Sequence, residues 1–226
     1  MQMHPRIIFI SFDHRIIRPL QDAFQGKPNI TFSISNVRDM EIIPGTMFMS
    51  PANSIGFMDG GIDAAYSMMF PWVQMAVQEK IKDLGKLTGL GRYYLSVGSA
   101  VVVPVSIGCT LASAPTMFLP HDVSKTRNAY HAMMATLMAF KKQDTTPMPM
   151  HTLVATGLCC GYAKMDPTVS AQQIRQAYDD FTSGAVPVDS YIDPSFVITN
   201  NRDSEQPRNF DNREIHEENK YFIPEI

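Results

Sequence analysis

The sequence predicts an α/β fold in which a largely parallel sheet is covered by helices on both faces. Its opening reads strand, helix, strand, and such a crossover lays the two strands parallel in one sheet. Two apolar runs end in glycine-rich loops, at 50–61 and 156–162, that lead into helical sequence. At 226 residues the chain suits one globular domain, able to bury roughly 70% of its extended surface.

Residues 6–12 read Arg-Ile-Ile-Phe-Ile-Ser-Phe, a short apolar run expected of a buried, central strand. Asp13 stands at a helix cap, and Ile16, Ile17, Leu20 and Phe24 recur at helical spacing until Gly26 and Pro28 end the helix. A second strand is expected over 30–34. Asn36, Val37, Arg38, Asp39 and Met40 connect it to a third strand at 46–49, with Pro44 and Gly45 marking a turn. That strand runs into Ser50-Pro51-Ala52-Asn53-Ser54-Ile55-Gly56-Phe57-Met58-Asp59-Gly60-Gly61, and a helix begins near Ile62.

A further helix is expected from Pro71, at a first-turn position, to about Leu84, with Trp72, Met75, Ala76 and Ile81 on its buried side. Gly85, Gly89 and Gly91 then open a loop. The β-branched run 99–105 and the run 110–114, which leads into Ala-Pro-Thr-Met, predict two strands. Helical sequence spans 123–142, with Ala129, Met133, Leu137 and Phe140 near one face and Asp122 or Ser124 as its cap. The last strand is expected at 151–155 and the last helix at about 167–181. From Gly184 onward prolines accompany many Asn, Asp, Glu and Arg residues. The expected division is therefore a domain over 1–183 and an extended or partly disordered tail over 184–226, whose Tyr221-Phe222-Ile223-Pro224 offers a docking contact. No internal repeat is present.

Composition narrows the function classes. A formal charge of -3 and a pI near 6.0 supply no basic field for duplex nucleic acid. No apolar run approaches the ~20 residues that span a bilayer, and the first residues lack a secretory pattern, so a soluble cytoplasmic protein is expected. Cys109, Cys159 and Cys160 cannot build a disulfide framework, which agrees with a reducing compartment. Without Cys-x-x-Cys or His-Glu-x-x-His spacing, no metal is expected. Sixteen methionines read as adaptable core filler.

The first glycine loop has no lysine or arginine, so it would offer bare backbone N–H groups at the positive end of a helix, where anions settle. Asn53 can donate and accept hydrogen bonds, and Asp63, ten positions later, can act as a base or orient a water. The plainer alternative is that the glycines turn a strand into a helix and Asn53 caps that turn. Cys159 or Cys160 could be a nucleophile at a helix N-terminus, although no histidine partner stands in register and small loop side chains are the simpler account. His121 and His131 likewise have no partner spacing and read as surface or satisfied core histidines.

Taken together the loops resemble those of macro domains. In that family a strand ends in Asn-Ala-Ala-Asn, a glycine run follows, and Val-Asp or Ile-Asp opens the next helix. Here Ser50-Pro51-Ala52-Asn53, Met58-Asp59-Gly60-Gly61 and Ile62-Asp63 stand in those places. The Asn53 to Asp63 spacing is similar to that of MacroD-type hydrolases, and the Pro-Ala-Asn-Ser and Met-Asp-Gly-Gly-Ile-Asp wording resembles a branch found in phage and microbial proteins. Thr156-Gly157 and Gly161 resemble the family's second, Gly-Thr-Gly loop, with a departure in the two intervening cysteines.

The resemblance covers about 6–181 and implies a three-layer α/β/α macro domain with a mixed, mostly parallel central sheet. It implies an ADP-ribose site in which Asp39, beside Met40, accepts a hydrogen bond from the adenine amino group. Gly60, Gly61 and Ile62 on one side, and Thr156, Gly157, Leu158, Cys159, Cys160 and Gly161 on the other, would wrap the diphosphate. Tyr162 would pack on the ribose, and Asn53 and Asp63 would be the catalytic pair. Implied partners are ADP-ribose or ADP-ribosylated protein, with no cofactor. Three outcomes stay open: release of ADP-ribose from a mono-ADP-ribosylated protein or small acceptor, non-catalytic reading of ADP-ribose or a related nucleotide such as its 1''-phosphate, and an interaction protein with a decayed pocket.

Overall fold

The computed structural model describes residues 5–184 apart from 90. The chain forms β1 (Arg6–Ile10), α1 (His14–Ala23), β2 (Ile30–Ser33), a 3-10 turn (Val37–Asp39), β3 (Thr46–Ser50), α2 (Gly61–Met69) and α3 (Val73–Leu84). It continues with β4 (Lys86–Leu87), β5 (Tyr93–Tyr94), β6 (Val101–Ser106), β7 (Cys109–Ser113), α4 (Asn128–Lys142), β8 (Thr152–Ala155) and α5 (Pro167–Ser183). Six strands make the central sheet in the order β2-β1-β8-β3-β7-β6. All neighbours are parallel except the edge pair β6–β7, so the sheet is mixed and mostly parallel, as expected.

Side chains alternate across this sheet because successive residues of a strand face opposite sides. Ile7 and Phe9 of β1, Met47 and Met49 of β3, and Leu153 and Ala155 of β8 join α1, α4 and α5 in one core. Ile10, Phe48, Leu111 and Val154 face the other way, onto Tyr66 and Phe70 at α2 and Val73, Val77 and Ile81 of α3. The three-layer arrangement follows: strands buried on both faces are uniformly apolar, and each apolar helix stripe is buried against one face.

Local expectations hold at several ends. Asp13 caps α1, its carboxylate accepting from Arg15 N at 2.8 Å, and Asp166 caps α5 by accepting from Thr168 N at 2.8 Å. Others are corrected. The helix expected from Pro71 begins at Val73, and its buried stripe is Val73, Val77 and Ile81, while Trp72 and Met75 are 51% and 61% exposed. Aliphatic residues at i, i+4 and i+8 set the phase, and a large ring just ahead of the helix does not. The loop expected after Gly85 contains the antiparallel β4–β5 pair.

The helix expected from Val123 begins at Asn128, and neither Asp122 nor Ser124 caps it. Asp122 instead accepts from Ser124 N, and Thr126 Oγ1 donates to Val123 O and accepts from Asn128 N. Such side-chain to backbone bonds hold a non-helical turn. The tail expected from 184 onward lies, from 185, outside the described residues. No helix among the described residues is long and apolar enough to cross a membrane.

Candidate functional site

Five parallel strands end at one edge of the sheet, so the segments that follow them stand side by side there. Their order is the turn 36–40 after β2, Phe12–Asp13 after β1, 156–162 after β8, 51–60 after β3 and 114–117 after β7. In open α/β sheets this C-terminal edge, where connections diverge to either side, is where ligands bind. Neighbouring strands lie about 4.8 Å apart, so the row is roughly 19 Å long.

The loop after β3 is held from within. Asn53 Oδ1 accepts from Ile55 N at 3.0 Å and from Phe57 N at 3.3 Å, so this side chain closes its own turn. Segment 114–117 runs alongside it: Ala114 N donates to Ser50 O, Thr116 N to Ala52 O, and Ser54 N to Met117 O. Further on, Met58 N donates to Gln74 Oε1 and Ser67 Oγ to Met58 O, tying the loop to α2 and α3. Gly56 lies at φ +79° with Ile81 Cδ1 2.8 Å from where a Cβ would stand, so only glycine fits between the loop and α3. Gly60 is half-buried and Gly61 exposed. With Ile62 they open α2, ahead of its hydrogen-bond ladder, as an anion site requires.

Asp63 is buried, 8% exposed, in the first turn of α2, where its carboxylate accepts from Ser50 Oγ at 2.6 Å. Burial pushes its pKa up to about 7, against the opposing pull of the Ser50 hydrogen bond. Tyr66, one turn on, has its hydroxyl buried without a hydrogen-bond partner, and burial and then the nearby Asp63 raise its pKa well above the ordinary value. Asp63 thus sits beneath the loop and ties the start of α2 to the end of β3.

In the second loop, Ser170 Oγ on α5 contacts Leu158 N at 3.2 Å and Leu158 O at 2.6 Å. Met165 N donates to Cys159 O, and Cys160 Sγ to Leu158 O. A Cβ on Gly157 would stand 2.4 Å from Ile16 Cγ2, so this glycine lets the loop after β8 pass close to α1. Thr156 is half-buried, Leu158 and Cys159 are buried, and Gly161 is exposed. The nucleophile option for the cysteines loses its basis: burial, with Cys160 adding to it, pushes the Cys159 thiol up to about 12, and burial raises Cys160 as well. The thiolate is the reactive form, and both sites disfavour it.

The two loops meet at Tyr162, whose ring carbon Cε2 lies 3.8 Å from the position a Cβ on Gly60 would take. Tyr162 is 62% exposed. One open cleft is lined by Ile55 and Phe57 of the first loop together with α3 and the β4–β5 hairpin, and another lies between α1 and α5. Asp39 is exposed and Met40 half-buried, and both belong to the turn whose Val37 packs in the core under α2. Asp39 and Asp63 therefore lie on the same side of the sheet. Asn36, at the near end of that turn, caps it by accepting from Arg38 N at 3.0 Å.

One further residue belongs to this edge. Phe12, at the end of β1, is 74% exposed between the turn 36–40 and the loop 156–162. In the sequence it reads as the last apolar residue of a strand. The signal that could have found it is that it follows the polar Ser11 and directly precedes the helix cap Asp13, a place where a core side chain has no layer left to enter.

No family model matches the sequence, and no curated protein matches it. Among solved structures the chain is similar to the macrodomain of Mycobacterium tuberculosis DarG, at 14% identity and a TM-score of 0.50 over 79% of this chain and 93% of that one. It is also similar to a protein of unknown function from Bacteroides thetaiotaomicron, at 15% identity and a TM-score of 0.46, over 63% of this chain and 86% of that one. An alphavirus P23pro-zbd structure matches at 11% identity and a TM-score of 0.44, over 92% of this chain and 26% of that one. The likeness to the DarG macrodomain establishes the fold: a macrodomain-type α/β/α sandwich.

Proposed function

We propose that this chain binds ADP-ribose across the C-terminal edge of its parallel strands. The adenine stacks on Phe12 beside the turn carrying Asn36, Asp39 and Met40, where an amide and a carboxylate can read its amino group. The diphosphate lies over Gly60, Gly61 and Ile62 and against 156–161, with Tyr162 moving aside to cover it. Backbone N–H groups and the start of α2 hold the charge, which explains how a chain of net charge -3 could take a dianion. The second ribose extends towards Asn53. What carries this reading is the convergence of an exposed ring and two glycine loops on one strand edge, with the Tyr162 ring 3.8 Å from where a Cβ on Gly60 would stand.

A hydrolytic role rests on Asp63, whose raised pKa suits proton exchange near neutrality. Its burial and its bond to Ser50 favour a positioning role, and Asn53 is engaged in its own loop. Binding without cleavage is therefore the primary reading.

Calorimetry tests it. ADP-ribose binds the wild type, and Phe12→Ala weakens binding at least about fivefold, in line with the roughly 1–3 kcal/mol of one base-stacking contact. Absence of heat at millimolar ADP-ribose would overturn the reading. With a mono-ADP-ribosylated protein in place of free ligand, release of label by wild type and not by Asp63→Asn would move the assignment to a hydrolase.

A further inference from the structure

Asp63 is bonded directly to the glycine turn over which the diphosphate is proposed to lie. Its N–H donates to Gly60 O at 3.1 Å, and about 3 Å of helix rise separates it from Gly61. The carboxyl lies beneath the loop, where Ser50 Oγ donates to it at 2.6 Å and 8% of the residue is exposed. The Tyr66 hydroxyl, one turn on, is buried and makes no hydrogen bond among the described residues, so it brings the carboxyl no second donor.

The charged groups around Asp63 do not offset a negative charge there. Asp59, in the loop leading to α2, is itself negative and raises the Asp63 pKa further. Arg38 and Asp39, on the turn packed against α2, are both exposed, and Arg38 Nη1 is directed at Met68 Sδ near the far end of the helix. β3, segment 114–117 and loop 156–162 carry no Asp, Glu, Lys, Arg or His. The charges of α3, Glu79, Lys80, Lys82 and Asp83, all stand in its second half. His14 opens α1 at the same strand edge and is exposed.

We propose that the strand-edge site takes up ADP-ribose together with a proton, because the diphosphate is accepted only while the Asp63 carboxyl is in its acid form. This rests on the ADP-ribose reading and adds a pH control to it. The physical reason is charge: a carboxylate under the loop would set a third negative charge against the two of the diphosphate, in surroundings that screen it poorly. The acid form leaves the N–H groups at the start of α2 facing the ligand unopposed. The proton comes from the buffer and stays on the carboxyl, and no covalent bond forms. Burial places the ionisation of Asp63 at about 7. Below that value affinity is full; above it the free protein must first gain a proton, and affinity falls by up to about tenfold per pH unit.

Calorimetry of the full chain with ADP-ribose at about pH 7.5, in Hepes and in Tris, counts the protons through the different ionisation heats of the two buffers. Expected are roughly 0.7 proton taken up per ligand and a Kd that rises about tenfold from pH 6 to pH 8. Asp63→Asn binds without uptake and with a level Kd over that range, whereas His14→Gln keeps the uptake. Wild-type binding without uptake, uptake that survives in Asp63→Asn, or uptake lost in His14→Gln would each overturn the proposal and leave the ADP-ribose reading in place. Absence of binding throughout that range would overturn both. The wild-type proton count needs no variant, so it decides the matter even where Asp63→Asn fails to fold.

Discussion

Burying a carboxyl in the first turn of a helix sets two effects against each other. The helix start favours negative charge, whereas removal from water disfavours it, and for Asp63 desolvation wins, with a pKa of about 7. A folded-state pKa above the ordinary aspartate value of about 4 means that the native protein holds the proton more tightly than the unfolded chain. The resulting stability is present in full below the unfolded pKa and is lost as pH rises through about 7, and the shift corresponds to roughly 4 kcal/mol. His131 works in the opposite direction, its pKa lowered by burial and then by Arg127, so the comparison must be with a variant. Between about pH 4 and about pH 7 the wild-type Tm should fall relative to that of Asp63→Asn, which keeps an acceptor for Ser50 Oγ. Parallel pH profiles would rule out this account of Asp63. That Asp63 matters was legible in the spacing from Asn53; that it lies under the loop was not, because its partner Ser50 is thirteen positions away and meets it only once β3 and α2 have packed.

At the scale of elements, the second loop depends on a helix that follows it. Ser170, in the first turns of α5, is 1% exposed and serves both the N–H and the C=O of Leu158. Ser170→Ala leaves these two buried groups without that partner, at about 1–3 kcal/mol. In a domain of this size each kcal/mol lowers Tm by about 2–4 °C. A thermal melt of Ser170→Ala superimposable on that of the wild type would show that the loop is held by other means. The helix itself was readable from Asp166-Pro167, a cap followed by proline in the first turn. The late start of α4 and the outward turn of Trp72 were not. Both depend on which bonds and which stripe win in three dimensions: Val123 N donates to Ala163 O forty residues away, and Val73, Val77 and Ile81 take the core that Trp72 was expected to fill.

For the molecule as a whole, the candidate site has no single owner. Phe12, Asn36, Asn53, Gly60 and Tyr162 come from four different strand ends, and only the order β2-β1-β8-β3 sets them in a row. Ligand bound along that row must therefore protect distant parts of the chain together. In hydrogen exchange with saturating ADP-ribose, amides in 54–62 and 156–162 should slow in concert. The turns at Gly45 and Gly108, joined by a 2.7 Å bond at the opposite edge of the sheet, should not change. Protection confined to one of the two loops would mean that they do not share a ligand.

The sequence by itself determined the α/β class, the order of the principal strands and helices, the caps at Asp13 and Asp166, and the two glycine loops, since each is written in local periodicity or in the needs of a few adjacent backbone groups. Tertiary structure alone decided that β8 lies between β1 and β3, that Phe12 faces solvent beside the loops, that Tyr162 comes close to Gly60, and that Asp63 is buried against Ser50. The physical reason is that burial and pKa belong to pairs of residues far apart in the chain, and no local pattern encodes which pair will meet.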